Sequence, residues 1–297
     1  MKAGIHLVHK RVGESSFDVV RRFKHSAAEE GLKKYPLGHG GTLDPFAEGL
    51  LLVLAGQATR LMELMHPLPK TYRAEVGWGT ETDTCDHLGL TVTEADASVL
   101  APPILDEALL GFLGWRDQVP PATCAKKIGG EAAYKKAHRG EVFEVPSSRV
   151  YLHEARWLAH DLPRSSVLEI TCRGGFYVRS LARDLGRQLG CGAHLAKLGR
   201  TAIGPWHDPG VDQEALVEGS SLIPWCPARI LTLEEADHLL HGRPIALGGV
   251  SEPDWSMPQG FPDPGAPVRA LLAGRLVGLL KEKNGELWTS ANLRGGL

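Results

Sequence analysis

The sequence predicts an α+β protein with a large domain followed by a smaller one, and three observations carry that expectation. Strand-like and helix-like stretches alternate along the chain: Tyr72, Ala74, Val76 and Trp78 recur at every second position, whereas Leu181, Leu185 and Leu189 recur at every fourth. At 297 residues the chain is longer than most single cores. The Pro- and Gly-bearing stretch from Ser220 to Pro227 reads as a linker.

Composition narrows the class. With 43% hydrophobic and 23% charged residues this is an ordinary globular chain. The longest apolar run, Leu50 to Ala55, is too short to cross a bilayer, and the segment Met1 to His6 lacks the apolar core of a secretion signal. A cytoplasmic protein without a membrane partner is expected. The five cysteines (Cys85, Cys124, Cys172, Cys191, Cys226) are odd in number and never spaced C-x-x-C, and the 13 histidines form no H-E-x-x-H pair. Neither a disulfide framework nor a metal centre is expected. The net charge of −2 conceals two basic segments: Lys126 to Arg139 carries five Lys/Arg against Glu131, and Arg164 to Arg187 five Arg against Glu169 and Asp184. Solvated helix faces carry such charge as often as RNA-binding surfaces do.

The elements follow in order. Ile5 to Val8 reads as a strand. A helix begins near Ser16, with Ser15 or Ser16 as its cap and Phe17, Val19, Val20 and Phe23 as its apolar face. Gly38, Gly40 and Gly41 then line a loop whose backbone admits a close ligand. Pro45 holds Asp44 out of helical geometry, and Leu50 to Leu54 forms a buried strand. Thr59 to Met65 is a short helix stopped by Pro67 and Pro69. The alternating strand opens at Lys70. Thr82 to Gly89 is a polar loop without the spacing or final Glu of an EF-hand. Leu105 to Leu113 is helical, Val167 to Cys172 a strand, and a helix starts near Phe176 with Arg179, Arg183 and Arg187 opposite its leucine stripe. Leu231 to His241 reads as a helix ended by Gly242, before the apolar runs Val268 to Leu272 and Leu276 to Leu280.

Taken alone, the candidate site residues have bland readings. An Asp-Pro such as Asp44-Pro45 more often opens a surface turn than presents a nucleophile. Tyr72 is equally suited to a core position, three aligned arginines to solvent, and His39 to a structural role.

The longer strings shift that balance. Gly38-His39-x-Gly41-x-Leu43-Asp44-Pro45-x-Ala47-x-Gly49 resembles the catalytic motif of the pseudouridine synthases of the tRNA pseudouridine-55 synthase type, which isomerise a T-arm uridine of tRNA. Lys70-x-Tyr72 resembles the family's second motif. Thr82-Asp83-Thr84-x-Asp86-x-x-Gly89 is similar to a further family stretch. Gly175-x-Tyr177-x-Arg179-Ser180-Leu181 resembles the motif that delivers the active-site arginine, and Leu198-x-Arg200-x-x-x-Gly204 another. Val119 to Gly140 resembles the family's RNA-gripping insertion, which spans about 119–145 here: Lys127, Gly130, Tyr134 and Ala137 match. Thr123 and Cys124 stand where the family has Tyr-Ser, and His138 where it has Arg. Lys10 is followed by Arg11 where the family has Lys-Pro.

The resemblance implies a mixed, mostly antiparallel central sheet flanked by helices. A catalytic domain would cover 1–225, and a small β-barrel of the PUA type, an RNA-binding domain, 226–297. It implies catalytic roles for Asp44, Tyr72 and Arg179, with Tyr72 stacking on the target base. Substrate contacts would come from His39, Asp86, Lys127, Tyr134, Leu198 and Arg200, with Leu198 packed beneath the catalytic acid. The reaction moves one carbon–nitrogen bond to carbon and needs no cofactor or metal. The implied partner is the T-arm of tRNA, met by a monomer with no obligatory protein partner. Two alternatives share the same motifs: a tRNA-binding or folding protein with little catalysis, and a guide-RNA-dependent synthase.

Overall fold

The first strand, β1 (Gly4–Lys10), is buried at nearly every position and paired along both edges. Its sequence mixes Ile5, Leu7 and Val8 with His6, His9 and Lys10, so burial here is not legible from apolarity alone. Helix α1 (Ser16–Glu29) follows and is opened by a capping box: the Ser15 hydroxyl accepts from Asp18 N at 3.1 Å, and the Asp18 carboxylate accepts from Ser15 N at 2.9 Å. Its buried stripe is Ser16, Val19, Val20 and Ala27, and Val19 packs with Val8, Leu51 and Val53. Phe17, expected on that face, is 57% exposed and lies beneath the Lys24 ammonium. One residue is about 100° of rotation, enough to carry Phe17 off the stripe.

Gly38 and His39, read from sequence as loop, belong to a short strand β2 (Leu37–His39), which pairs antiparallel with β3 (Glu48–Ala55) in the register His39↔Val53. The connection between them carries Asp44. Gly41 sits there at φ 143°, a conformation that side-chain-bearing residues avoid. The predicted helix over 59–65 is a 3₁₀ turn, Gly56–Leu61, running into α2 (Met62–Met65).

The computed structural model describes residues 1–297 apart from Pro264, Arg294 and the side chain of His138, so the substitution noted at His138 lies outside the described residues. The chain divides into two compact units, Met1–Leu68 with Ala202–Leu297, and Pro69–Thr201. This partition does not coincide with a boundary at 225.

The second unit opens with β4 (Lys70–Trp78), in which Lys70, Tyr72, Ala74, Val76 and Trp78 are buried, as the alternation predicts. The hairpin β5 (Thr80–Thr82) and β6 (Thr91–Glu94) encloses the polar loop. Helix α3 (Pro102–Leu110) takes a proline in its first turn, where the missing N–H costs nothing. Strand β7 (Gly114–Gln118) leads into the insertion, built from the two-residue strands β8 (Lys127–Ile128) and β9 (Glu131–Ala132) and from α4 (Ala133–His138). Long strand β10 (Ser148–Asp161), β11 (Ser165–Cys172), α5 (Val178–Gln188) and β12 (Ala193–Ile203) complete the unit. The strand order is β12-β4-β11-β10-β7, and the pairs β4/β11, β11/β10 and β10/β7 are antiparallel.

On α5, Leu181 and Leu185 are buried and Leu189 half-buried. The arginine row is solvated only at its far end, where Arg187 is exposed. Arg179 and Arg183 are 4% and 8% exposed, and the Arg187 guanidinium is held by both oxygens of Glu81, at 2.9 and 2.6 Å.

The chain then returns to the first unit through β13 (Trp206–His207) and β14 (Glu214–Val217), the latter pairing with β1. The stretch expected as a linker is core instead: Leu222, Ile223, Trp225 and Cys226 are buried among Ile5, Leu50, Leu54 and Leu61. Its prolines turn the chain, while its apolar side chains dominate where it settles. Strand β15 (Ala228–Ile230) precedes α6 (Leu233–Leu240), whose Thr232 and Glu235 form a second capping box. Strands β16 (Ile245–Ala246), β17 (Val250–Ser251), β18 (Val268–Leu272), β19 (Arg275–Lys283) and β20 (Glu286–Asn292) follow. The six strands β16-β20-β19-β18-β15-β17 form a mixed, curled half-barrel with one parallel pair, β15/β18. An α+β architecture with mostly antiparallel pairing and a small C-terminal barrel-like sheet is what the sequence predicts.

All five cysteines are free and buried. Among the described residues no group of three His, Cys, Asp or Glu is arranged to hold a metal ion, and no helix is long and apolar enough to cross a membrane.

Candidate active site

In the first unit the Asp44 connection is pinned on both sides of the acid. The Ser16 hydroxyl, at the start of α1, accepts from Leu43 N at 2.9 Å and donates to Leu43 O at 3.2 Å. On the other side Pro45 O accepts from Gly13 N at 2.8 Å and from the Lys10 ammonium at 3.3 Å. Lys10 is fully buried, and its ammonium also donates to Arg11 O at 2.9 Å and Glu14 O at 2.7 Å. A buried ammonium spread over three carbonyls is a rigid post for the loop. Leu43, Phe46 and Ala47 are buried while Asp44 itself is half-buried, and Ala47 N closes a turn on Asp44 O at 3.1 Å. Loop freedom is therefore taken away around a carboxylate that still reaches solvent. His39 is half-buried at the end of β2.

The other candidates lie in the second unit. Arg179, from the first turn of α5, donates through Nη1 to Asp86 Oδ2 at 3.2 Å, Thr84 O at 3.1 Å and Thr123 Oγ1 at 2.8 Å, and through Nη2 to Thr123 O at 3.4 Å. The Asp86 and Arg179 side chains are 7% and 5% exposed, which makes this a buried ion pair. The second carboxylate oxygen of Asp86 accepts from Thr84 Oγ1 at 2.7 Å and Leu88 N at 3.1 Å. Asp86 is thus the buried ionic partner of the arginine.

Tyr72 is 7% exposed, opposite Ile170 across β4 and β11, and the Arg200 guanidinium lies 6.0 Å from its ring centroid. Arg200 is itself 1% exposed and Leu198 6%, both on β12. Beneath them Lys70 is buried, and that burial, reinforced by Arg200 and Arg173, lowers its pKa to about 7. Burial likewise pushes the neighbouring Cys172 thiol up to about 12. Lys127 and Tyr134 stand exposed on the insertion, Tyr134 at 39%. Lys126, by contrast, is tied to Pro146 O and Ser148 Oγ, each at 2.7 Å.

Sequence reasoning missed Lys10, Ser16, Thr123 and the pairing of Asp86 with Arg179. Lys10 closes a strand that already holds His6 and His9, so its charge alone did not mark it as an anchor. The others depend on partners 27, 56 and 93 positions away, which no local pattern reveals.

Residues 30–178 match the TruB family pseudouridylate synthase N-terminal domain, and residues 179–222 the tRNA pseudouridylate synthase B C-terminal domain. Fold and matched motifs define the class as pseudouridylate synthases. The chain is 34% identical over 265 residues to tRNA pseudouridine synthase B of Thermotoga maritima, a match covering 86% of this chain and 83% of that one. Identity to the Rhodopseudomonas palustris enzyme of the same name is 37% over 270 residues, covering 84% and 71%. The match to that of Xanthomonas campestris reaches 41% over 206 residues, 69% of this chain and 65% of its relative. The chain belongs to the TruB family. In fold it is similar to a chain of the solved Cbf5-Nop10-Gar1 complex, with a TM-score of 0.68 at 19% identity over 98% of this chain and 85% of that one.

Proposed function

We propose that the protein isomerises a T-arm uridine of tRNA to pseudouridine, using Asp44 on a nucleotide swung out of the RNA. The N1–C1′ bond breaks, the base turns, and a C5–C1′ bond forms. C5 gives up its proton and N1 ends with one, so nothing is oxidised and no group leaves. The observation that carries this reading is the half-exposed Asp44 carboxylate on a loop fixed at Leu43 by Ser16 and at Pro45 by Lys10. A group that must meet one carbon of a flipped nucleotide gains from such fixity. The logic matches that of carboxylates placed around oxocarbenium-like states.

Swinging the nucleotide out costs roughly a few kcal/mol, and stacking on an aromatic ring returns about 1–3 kcal/mol. Tyr72 receives the base, with the Arg200 guanidinium beside its ring. Arg179 supplies the positive charge that a catalytic carboxylate needs to stay ionised under a base. Lys127 and Tyr134 of the insertion grip the RNA backbone, His39 fills space beside the flipped nucleotide, and the 226–297 segment supplies a further RNA-binding surface next to a catalytic 1–225. The enzyme works as a cytoplasmic monomer, without guide RNA or protein partner. The basic insertion supports this, because a protein without a guide must hold its substrate itself.

Tritium release from C5-labelled uridine in a naked T-arm transcript tests the proposal. The protein alone releases tritium, and Asp44→Ala abolishes release while retaining RNA binding. Release by Asp44→Ala, or a need for a second RNA, would overturn it.

A further inference from the structure

The insertion that resembles an RNA grip is rooted on the helix that carries Arg179. Three residues on one side of α5 hold its first turn: Ser180 Oγ donates to Val119 O at 2.8 Å, Arg183 Nη2 donates to the same oxygen at 2.9 Å, and Arg179 takes the Thr123 hydroxyl and carbonyl. The Gln118 side chain also caps α5, accepting from Tyr177 N at 2.9 Å and donating to Tyr177 O at 3.1 Å. One residue past Thr123, Cys124 O accepts from Tyr134 N at 3.0 Å, and Cys124 is buried. Tyr134 sits in α4, the exposed helix of the insertion. A short path of one peptide bond and two hydrogen bonds therefore runs from α4 through Cys124 and Thr123 to Arg179 Nη1, the same nitrogen that bonds Asp86.

We propose that Thr123 is a positioning residue that couples the insertion to Arg179, so that holding RNA and aiming the guanidinium are one event. Arg179 is fixed by two anchors of different kinds. Asp86 belongs to a loop bridged to β12 through Asp86 and Leu195 and so tied to the central sheet. Thr123 belongs to the insertion, so any shift of α4 on RNA reaches the guanidinium through it. With a charged donor on one side, the hydroxyl bond is of the stronger type, and its loss lowers turnover on the order of tenfold. Binding stays intact, because Thr123 does not belong to the exposed face that carries Lys127 and Tyr134.

This inference rests on the proposed reaction. Single-turnover tritium release at saturating T-arm transcript and RNA affinity by filter binding are measured on the full chain for the parent, Thr123→Val and Thr123→Ser, with each variant's unfolding midpoint as a control. Thr123→Val slows release about tenfold at unchanged affinity, and Thr123→Ser, which restores the hydroxyl, regains the parent rate. Tyr134→Ala weakens binding and also slows release at saturation in the parent, but slows it no further in Thr123→Val. A parental rate in Thr123→Val, equal slowing by Val and Ser, or rate losses that multiply in the double variant would overturn the coupling. An inactive parent would overturn both readings, whereas an active parent with an active Thr123→Val variant sinks only this one.

Discussion

Replacing Asp86 should damage the protein in a graded way that its hydrogen bonds make calculable. Its carboxylate is almost fully buried, with one oxygen facing Arg179 and the other accepting from Thr84 Oγ1 and Leu88 N. Asp86→Ala removes all three bonds and leaves a guanidinium that is 4% exposed without its opposite charge. Removing one partner of such a pair costs about 3–5 kcal/mol. Asp86→Asn keeps the shape but has a single acceptor oxygen. If that oxygen serves Leu88 and Thr84, the amide N–H groups face the guanidinium; if it serves Arg179, they face the Leu88 N–H. Either way donor meets donor, at a cost of about 1–3 kcal/mol. Urea unfolding should therefore rank parent above Asn above Ala. Tritium release by the Asn variant at saturating RNA should fall even where the protein is folded, because the arginine loses its aim. An alanine variant within about 0.5 kcal/mol of the parent, the range of an ordinary surface substitution, would refute the reasoning.

Two further outcomes follow from burial. The Lys70 pKa falls from 10.5 to about 7 on folding, chiefly through burial and then through Arg200. The unfolded chain therefore binds the extra proton between those values, and stability declines as the pH drops from about 10 towards 7, then levels, a penalty of about 5 kcal/mol at its fullest. Lys70→Met should gain on the parent over that window in unfolding experiments, and a pH-independent difference would refute it. Gly186→Ala should lower the unfolding temperature, because the added methyl would be driven into the backbone of Gly192 and Ala193. Overpacking of about 1–3 kcal/mol outweighs a helix-propensity gain of about 1 kcal/mol; a raised melting temperature would show the opposite.

Local signals were legible and long-range ones were not. The cap at Ser15, the alternation of β4 and the apolar run of β3 depend on residues a few positions apart, and each appears where the sequence places it. The Ser220 to Pro227 segment misled because prolines mark a turn but not its burial; four apolar side chains decided that, against partners near the start of the chain. The arginine row of α5 misled for a related reason. Charge at a regular interval looks solvated until Asp86, Glu81 and the Val119 carbonyl are brought to it by other elements. Within the candidate site the residue types were readable and their anchors were not, Lys10 and Thr123 above all.

The first unit is assembled from both ends of the sequence, with Ile5 opposite Val217 and Leu50 and Leu54 packed with Leu276 and Leu293. A ribosome adding about 5–20 residues each second needs on the order of 10–40 s to make the second edge partner of β1 after β1 itself. Throughout that interval one backbone edge of β1 stays unpaired, open to mispairing with neighbouring nascent chains, while the contiguous Pro69–Thr201 segment can already be complete. Expression at reduced temperature, or with a holdase present, addresses this vulnerability of birth order, to which the finished molecule bears no outward sign.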